Sequence, residues 1–245
     1  MPHFTDIEVE RYARHLILSE IGGPGQQRLS QARVLIVGAG GVGGPAALYL
    51  AAAGVGTLTL IDDDVVSLSN LHRQTLFTDA DIGAPKVGAA QARLAAANPH
   101  IVIETRAERL TADNAAPLIA AHDVVIDGTD DFQTRLIVSD ACVAARKPLA
   151  SGALGRWTGQ VAVFDGRPCY RCLVPEIPPE AETCARVGVV GALTGVIGSM
   201  AALEAVKIIT GAGEPLTGRM MLYDGLAGTS RTVRIAPDPD CPSCG

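Results

Sequence analysis

The chain has 245 residues, 48% of them hydrophobic and 19% charged, and a formal net charge of −6. That length buries one substantial core, and the composition is that of a globular enzyme rather than a disordered or fibrous chain. The acidic balance argues against a broad nucleic-acid-binding surface, and six cysteines without an export signal point to reduced thiols or metal in a cytoplasmic protein.

In chain order, Thr5 and Glu8 fit a capping box, which starts a helix expected over 6–18 with Ile7, Tyr12, Leu16 and Ile17 on its apolar face. Gly22, Gly23, Pro24 and Gly25 are expected to break the chain. A β-α-β unit follows: a buried strand at 34–37, a glycine turn at 38–44, a helix at 45–53 and a second strand at 58–61. Continuous apolar strands suit a sheet covered on both faces. The alternation continues with helices at 86–97, 112–121 and 131–146, and strands at 101–105, 124–126 and near Leu149. This implies a Rossmann-like α/β fold, doubly wound around a mainly parallel sheet. After Ser151 the pattern changes to a C-terminal mixed or antiparallel extension. A hairpin strand is expected at 160–164, a loop marked by Pro175, Pro178 and Pro179, an apolar helix at 187–203, and strands at 220–223 and 232–235. The apolar helix falls short of a comfortable membrane span of about 20 residues and is followed by Glu204 and Lys207. It is therefore read as a core helix whose Gly191 and Gly195 allow close backbone approach, and no membrane is expected. The whole reads as one domain, 1–150 holding a nucleotide and 151–245 a second, cysteine-bearing half.

The turn Gly38-Ala39-Gly40-Gly41-Val42-Gly43 follows a strand and opens a helix, the context in which backbone N–H groups and the helix N-terminus bind phosphate. Asp62 ends the second strand, where a carboxylate binds ribose hydroxyls. The turn alone does not separate NAD from ATP. Asn70, Arg73, Gln74 and Lys86 do, because a departing pyrophosphate needs cations that a dinucleotide does not. Asp130 follows the strand at 124–126, at the ligand-binding edge of such a sheet, where it can hold Mg²⁺ against phosphate. Asp131 is read as the cap of the next helix, paired with Arg135 one turn on.

Cys169-Tyr170-Arg171-Cys172 and Cys241-Pro242-Ser243-Cys244 are two CxxC pairs that together offer four thiolates to one Zn²⁺. A pair of redox disulfides is the competing reading. Four sulfurs close the coordination shell, so this zinc has a structural role. Cys184 stands apart with Arg186 nearby, as a reactive thiol or an incidental one, and Cys142 reads as core.

These residues, with Arg11-Tyr12-Ala13-Arg14, the run Ser67-Leu68-Ser69-Asn70-Leu71-His72-Arg73-Gln74, Pro85-Lys86 and Gly128-Thr129-Asp130, are similar to the MoeB/ThiF/HesA family of ubiquitin-activating-like adenylyltransferases. The resemblance covers nearly the whole chain and is strongest to the molybdopterin-pathway branch, then to the thiamine-pathway one. It implies ATP-dependent adenylation of the C-terminal carboxylate of a small ubiquitin-like sulfur carrier ending in Gly-Gly. The implied nucleotide site takes in Gly38, Gly40, Gly41, Gly43, Asp62, Ser69, Asn70, Leu71, His72, Arg73, Lys86 and Asp130. Arg73, Lys86 and Asp130 would also be catalytic, with Arg14 supplied to the neighbouring subunit of a homodimer; Cys184 matches the cysteine that forms carrier adducts in the thiamine-pathway branch, a position less needed in the molybdopterin-pathway branch. A separate sulfur donor is implied, since no rhodanese-like segment is present. Family members often carry Asp-Asn where this chain has Asp130-Asp131, which leaves Asp131 without an implied nucleotide role. Two other readings remain: a NAD-dependent oxidoreductase on the glycine turn and Asp62, and a non-catalytic scaffold for a ubiquitin-like partner.

Overall fold

The computed structural model describes residues 4–177 and 188–245. A single eight-stranded sheet runs through it in the order β3-β2-β1-β4-β5-β6-β7-β8. The first five are parallel: β1 (Arg33–Val37), β2 (Thr57–Ile61), β3 (Val102–Arg106), β4 (Val124–Asp127) and β5 (Leu149–Leu154). The last three, β6 (Thr158–Phe164), β7 (Arg219–Asp224) and β8 (Thr229–Arg234), extend it antiparallel. Strand order reverses between β1 and β4, which leaves a crevice beyond their carboxyl ends.

The strands are apolar on both sides because helices cover both faces. Val34 and Ile36 of β1 join one core with Ala46, Leu50 and Ala201 from α4 (Gly43–Ala53) and α9 (Gly191–Thr210). That core also takes Leu94 of α5 (Lys86–Ala97) and Leu29 of α3 (Gly22–Gln31). Leu35 and Val37 point the other way, to Ile119 of α6 (Ala112–Ala120) and Leu136 of α7 (Phe132–Ala145). The edge strand β3 departs from the expected continuous burial: its exposure alternates, because α5 and the core cover the face that carries Ile103 and the other face is open.

Several expected boundaries move. The first helix is two pieces, α1 (Asp6–Arg11) and α2 (Ala13–Leu16), split at Tyr12. The Tyr12 ring turns inward against Gly54, and its hydroxyl accepts a 2.9 Å bond from Asn98 Nδ2, while Ile7 and Ile17 of the expected apolar face stay exposed. The expected break at Gly22–Gly25 is instead the start of α3, since Pro24 sits in the first turn, where no N–H is required. α9 runs seven residues past the expected end. Glu204 is drawn inside it by Lys207 at 2.5 Å and by the Leu216 amide, which donates to its carboxylate at 2.7 Å. The expected first residue of this helix, Val187, lies outside the described residues, as do Pro178, Pro179, Cys184 and Arg186. α9 is long and apolar enough to cross a membrane by length and composition, but here it packs on α3, α4 and β5. The last strand begins three residues before its expected start, pairing Thr229 with Asp224.

Candidate nucleotide cleft and four-cysteine site

A cleft of about 740 Å³ opens at the carboxyl ends of the parallel strands. Gly38, at φ +86°, turns the chain out of β1, and Gly43 starts α4 so close to it that a Cβ there would meet the Gly38 carbonyl oxygen at 1.8 Å. Only glycine fits that crossing. Asp62 at the end of β2 accepts a 2.8 Å bond from the Ala39 amide and a 2.9 Å bond from the Asp64 amide, and it lines the cleft. Burial raises its carboxyl above the ordinary range, against the pull of Lys86. Lys86, the first residue of α5, is 5% exposed and pairs through Nζ with Asp64 at 2.7 Å.

The short turn Leu68–Asn70 brings Asn70 and Arg73 to the same cleft. Arg73 donates to the Ser69 carbonyl at 3.0 Å and lies 2.9 Å from His72 Nε2. Thus Gly38, Gly40, Gly41, Asp62, Asn70, Arg73, Lys86 and Asp130 come together around one cavity. Among the described residues, Gly43, Ser69, Leu71, His72 and Arg14 do not line it. Gly43 makes the close crossing, Ser69 orients Arg73 through its carbonyl, Leu71 packs on the core, and Arg14 is exposed on α2.

Three contributors escaped the sequence reading, Thr194 and the Arg135–Asp127 pair, while Gln74 is among its cleft candidates. Gln74 is buried at the cleft wall and carries the one buried side-chain oxygen lacking a partner among the described residues. Thr194, at the start of α9, donates to the Arg73 and Gly191 carbonyls, which seats that helix on the Arg73 loop. Arg135 and Asp127 form a buried ion pair at 3.2 Å beneath the cleft. This corrects the expected Asp131–Arg135 pair. Asp131 does cap α7, accepting from the Thr134 amide at 2.9 Å, but its charge partner is Arg109, also at 2.9 Å. Burial opposes the Asp131 charge, yet the Thr134 and Gln133 hydrogen bonds and Arg109 hold its carboxyl below the usual range. Helical spacing favoured Arg135, but the floor of the sheet offered it a buried carboxylate that no local spacing reveals.

The two CxxC segments meet at the far side of α7. Cys169 and Cys241 sulfurs lie 3.5 Å apart, as do those of Cys172 and Cys244, and all four fall within 4.8 Å of one another. A disulfide requires about 2.05 Å, so these thiols are unbonded. Four sulfurs about 2.3 Å from a tetrahedral ion would stand about 3.8 Å apart, which matches. The Asp238 amide donates to Cys172 Sγ at 3.4 Å. Burial works against ionising Cys241, but the Cys244 and Ser243 amides bring it down to about 7. Burial and the neighbouring sulfurs push Cys244 up to about 12, so a second thiolate in this cluster calls for a cation. The donor set fits a thiophilic metal.

The ThiF family profile matches residues 12–243. The chain belongs to the ThiF family. It is 45% identical to the sulfur carrier protein adenylyltransferase of Thermus thermophilus, over 99% of this chain and 93% of the relative. It is 46% identical to the molybdopterin-synthase adenylyltransferase of Escherichia coli, over the full length of both. It is 48% identical to the adenylyltransferase and sulfurtransferase MOCS3 of Anopheles gambiae, over 97% of this chain but 55% of that longer protein. Among solved structures, E. coli MccB shares the fold with a TM-score of 0.85 at 22% identity, covering 97% of this chain and 74% of MccB. The parallel sheet with an antiparallel extension is an arrangement that MccB shares.

Proposed function

We propose that this ThiF-family protein adenylates the C-terminal glycine carboxylate of a small ubiquitin-like sulfur carrier, using ATP and releasing pyrophosphate. One observation carries the reading: Arg73 and Lys86 converge with Asp62 and Asp130 on the cavity headed by the glycine turn. The names of the Thermus and E. coli relatives support it. In this reading the turn and the α4 N-terminus bind phosphate, and Asp62 binds the ribose. A carboxylate oxygen of the carrier attacks the α-phosphorus of ATP. The bond to the bridging oxygen breaks, and the electron pair leaves with pyrophosphate. A carboxylate needs no general base, so the protein aligns the reactants and neutralises charge, with Arg73, Lys86 and Asn70 on the phosphates.

Mg²⁺ would supply charge neutralisation on the phosphate oxygens, and Asp130 would hold it. Cys169, Cys172, Cys241 and Cys244 would hold a structural Zn²⁺ in the reducing cytoplasm. Arg14, exposed and away from its own cleft, would serve the cleft of a second copy in a homodimer. Sulfur would come from a separate donor, and a role for Cys184 would fall in that later step.

The test is ATP–pyrophosphate exchange with molybdopterin-type and thiamine-type carriers ending in Gly-Gly. Exchange should appear with one of them, and Arg73→Ala should reduce it about 100-fold, the scale of one lost oxyanion donor. No exchange with any carrier, together with tight NADH binding and no ATP binding, would replace the reading with an oxidoreductase.

A further inference from the structure

One carboxylate and one guanidinium beneath the cleft hold the loop that carries Asp130. Asp127 ends β4 with both oxygens in use. Its Oδ1 accepts from the Thr129 amide at 3.0 Å and from the Thr129 hydroxyl at 2.7 Å. Its Oδ2 accepts from Ser151 Oγ at 3.2 Å and faces Arg135 Nη1, also at 3.2 Å. Nη1 reaches Ser151 Oγ as well, while Nη2 donates to the Gly152 carbonyl at 2.8 Å and to the Thr129 carbonyl. Thr129 is thus gripped at its amide, its hydroxyl and its carbonyl by two buried side chains. The guanidinium spans β4, β5 and the loop between β4 and α7. A planar fork of donors can do this; a lysine ammonium brings the charge without the reach.

The base of the fork is fixed too. Arg135 lies in the first turn of α7, and further along that helix Ser139 and Asp140 are fastened to α8 (Tyr170–Leu173). Ser139 Oγ accepts from the Tyr170 amide at 3.2 Å, and Asp140 takes both arms of Arg171 at 2.7 Å each. Asp130 follows Thr129 directly, is exposed and lines the cleft. Among the described residues its carboxylate makes no hydrogen bond or ion pair of its own. The backbone on either side therefore sets where that carboxylate reaches. Upstream is the gripped Thr129. Downstream Asp131 caps α7, and the Arg135 amide donates to the Asp131 carbonyl at 3.1 Å. Arg135 accordingly holds Asp130 from both directions, by side chain before it and by main chain after it. A buried ion pair adds little net stability, because desolvating two charges offsets their attraction. What this pair supplies is the geometry of the loop.

We propose that Arg135, paired with Asp127, is a positioning residue for the nucleotidyl transfer: its guanidinium clamps Thr129 and so fixes the reach of the Asp130 carboxylate into the cleft. The proposal rests on the adenylation reading for its kinetic part only.

Arg135→Lys keeps a positive charge opposite Asp127 but cannot span Thr129, Ser151 and Gly152. Its kcat for ATP–pyrophosphate exchange should fall about 30-fold, because a displacement of about 1 Å at a reacting centre costs up to about 100-fold. KM for ATP should stay within about twofold, since Asp62 and the glycine turn lie outside the clamp. Thr129→Val removes only the hydroxyl arm; it should show the same split at smaller size, and it carries the test if Arg135→Lys does not fold. The deciding comparison is a double-mutant cycle with Asp130→Asn. Adding Arg135→Lys to Asp130→Asn should slow exchange by less than about twofold, because a group acting through Asp130 then has nothing left to position. An ion pair that merely stabilises the fold would slow both backgrounds equally. Backbone amides of 128–131 should exchange hydrogen about tenfold faster in Arg135→Lys than in wild type, measured without nucleotide. Wild-type kcat in the folded variants, equal losses in both backgrounds, or unchanged amide exchange at 128–131 would overturn the proposal. If wild type supports no pyrophosphate exchange with any carrier, the adenylation reading fails by itself, and the amide measurement still decides the clamp.

Discussion

Asp62 shows the tension a phosphate cleft imposes on single residues. Its carboxylate is needed as an acceptor for the Ala39 and Asp64 amides, yet burial favours its protonated form. A raised folded pKa means that its contribution to stability is complete below the ordinary carboxylate range and is lost as pH rises through the folded value. Asp62→Asn should therefore show a flatter loss of stability over that window than wild type, measured by chemical denaturation from pH 3 upward. The same variant should bind ATP about tenfold less tightly at pH 7, because an amide is a weaker acceptor for ribose hydroxyls than a charged oxygen. Lys86 answers part of the cost, since its buried ammonium faces both Asp62 and the exposed Asp64. The identity of these cleft residues was legible in the sequence, because each follows a strand or opens a helix. The role of Arg135 was not, because its partners Asp127, Ser151 and Gly152 come from other strands.

At the scale of elements, α9 distinguishes glycines that are needed from glycines that merely recur. The sequence pairs Gly191 with Gly195 as a close-contact motif. In the fold, a Cβ on Gly191 would lie 2.1 Å from the His72 carbonyl oxygen, whereas nothing lies within 4 Å of one on Gly195. The second close approach is Gly198, whose Cβ would lie 2.4 Å from the Val42 carbonyl oxygen. Positions seven apart share a helix face, so the contact stripe is 191 and 198. Gly195→Ala should stabilise the protein by about 0.5–1 kcal/mol, from helix propensity and reduced unfolded-state entropy. Gly191→Ala should lower stability by about 2 kcal/mol or more, the cost of backbone overpacking; thermal melts of both variants check the contrast. The same distinction explains α3. Its glycine-rich start reads as a loop, yet the helix is stabilised by tertiary contacts, including a 2.8 Å bond from buried Gln26 to the Ala53 carbonyl.

At the scale of the whole molecule, the antiparallel strands do not form a separate layer; they continue the parallel sheet, and α9 packs on both halves. A continuous sheet with shared helices predicts one cooperative calorimetric transition over the whole chain rather than two. The cysteine cluster joins the C-terminal segment to the Cys169–Cys172 turn, so metal should add folding free energy. We expect close to one zinc per chain by elemental analysis and a fall of several degrees in Tm on chelation. A metal-free preparation with an unchanged Tm would count against this. By itself, the sequence determined the α/β alternation, the glycine turn with its following cations and carboxylates, and the two CxxC pairs. Those features are encoded by local periodicity and by spacing along the chain. Only the tertiary structure decided that Arg135 pairs with Asp127 and that Tyr12 splits the first helix. In both cases a side chain took a buried partner outside its own helix over an available neighbour, because leaving a buried charge or polar group unpaired costs more than forgoing a contact at the surface.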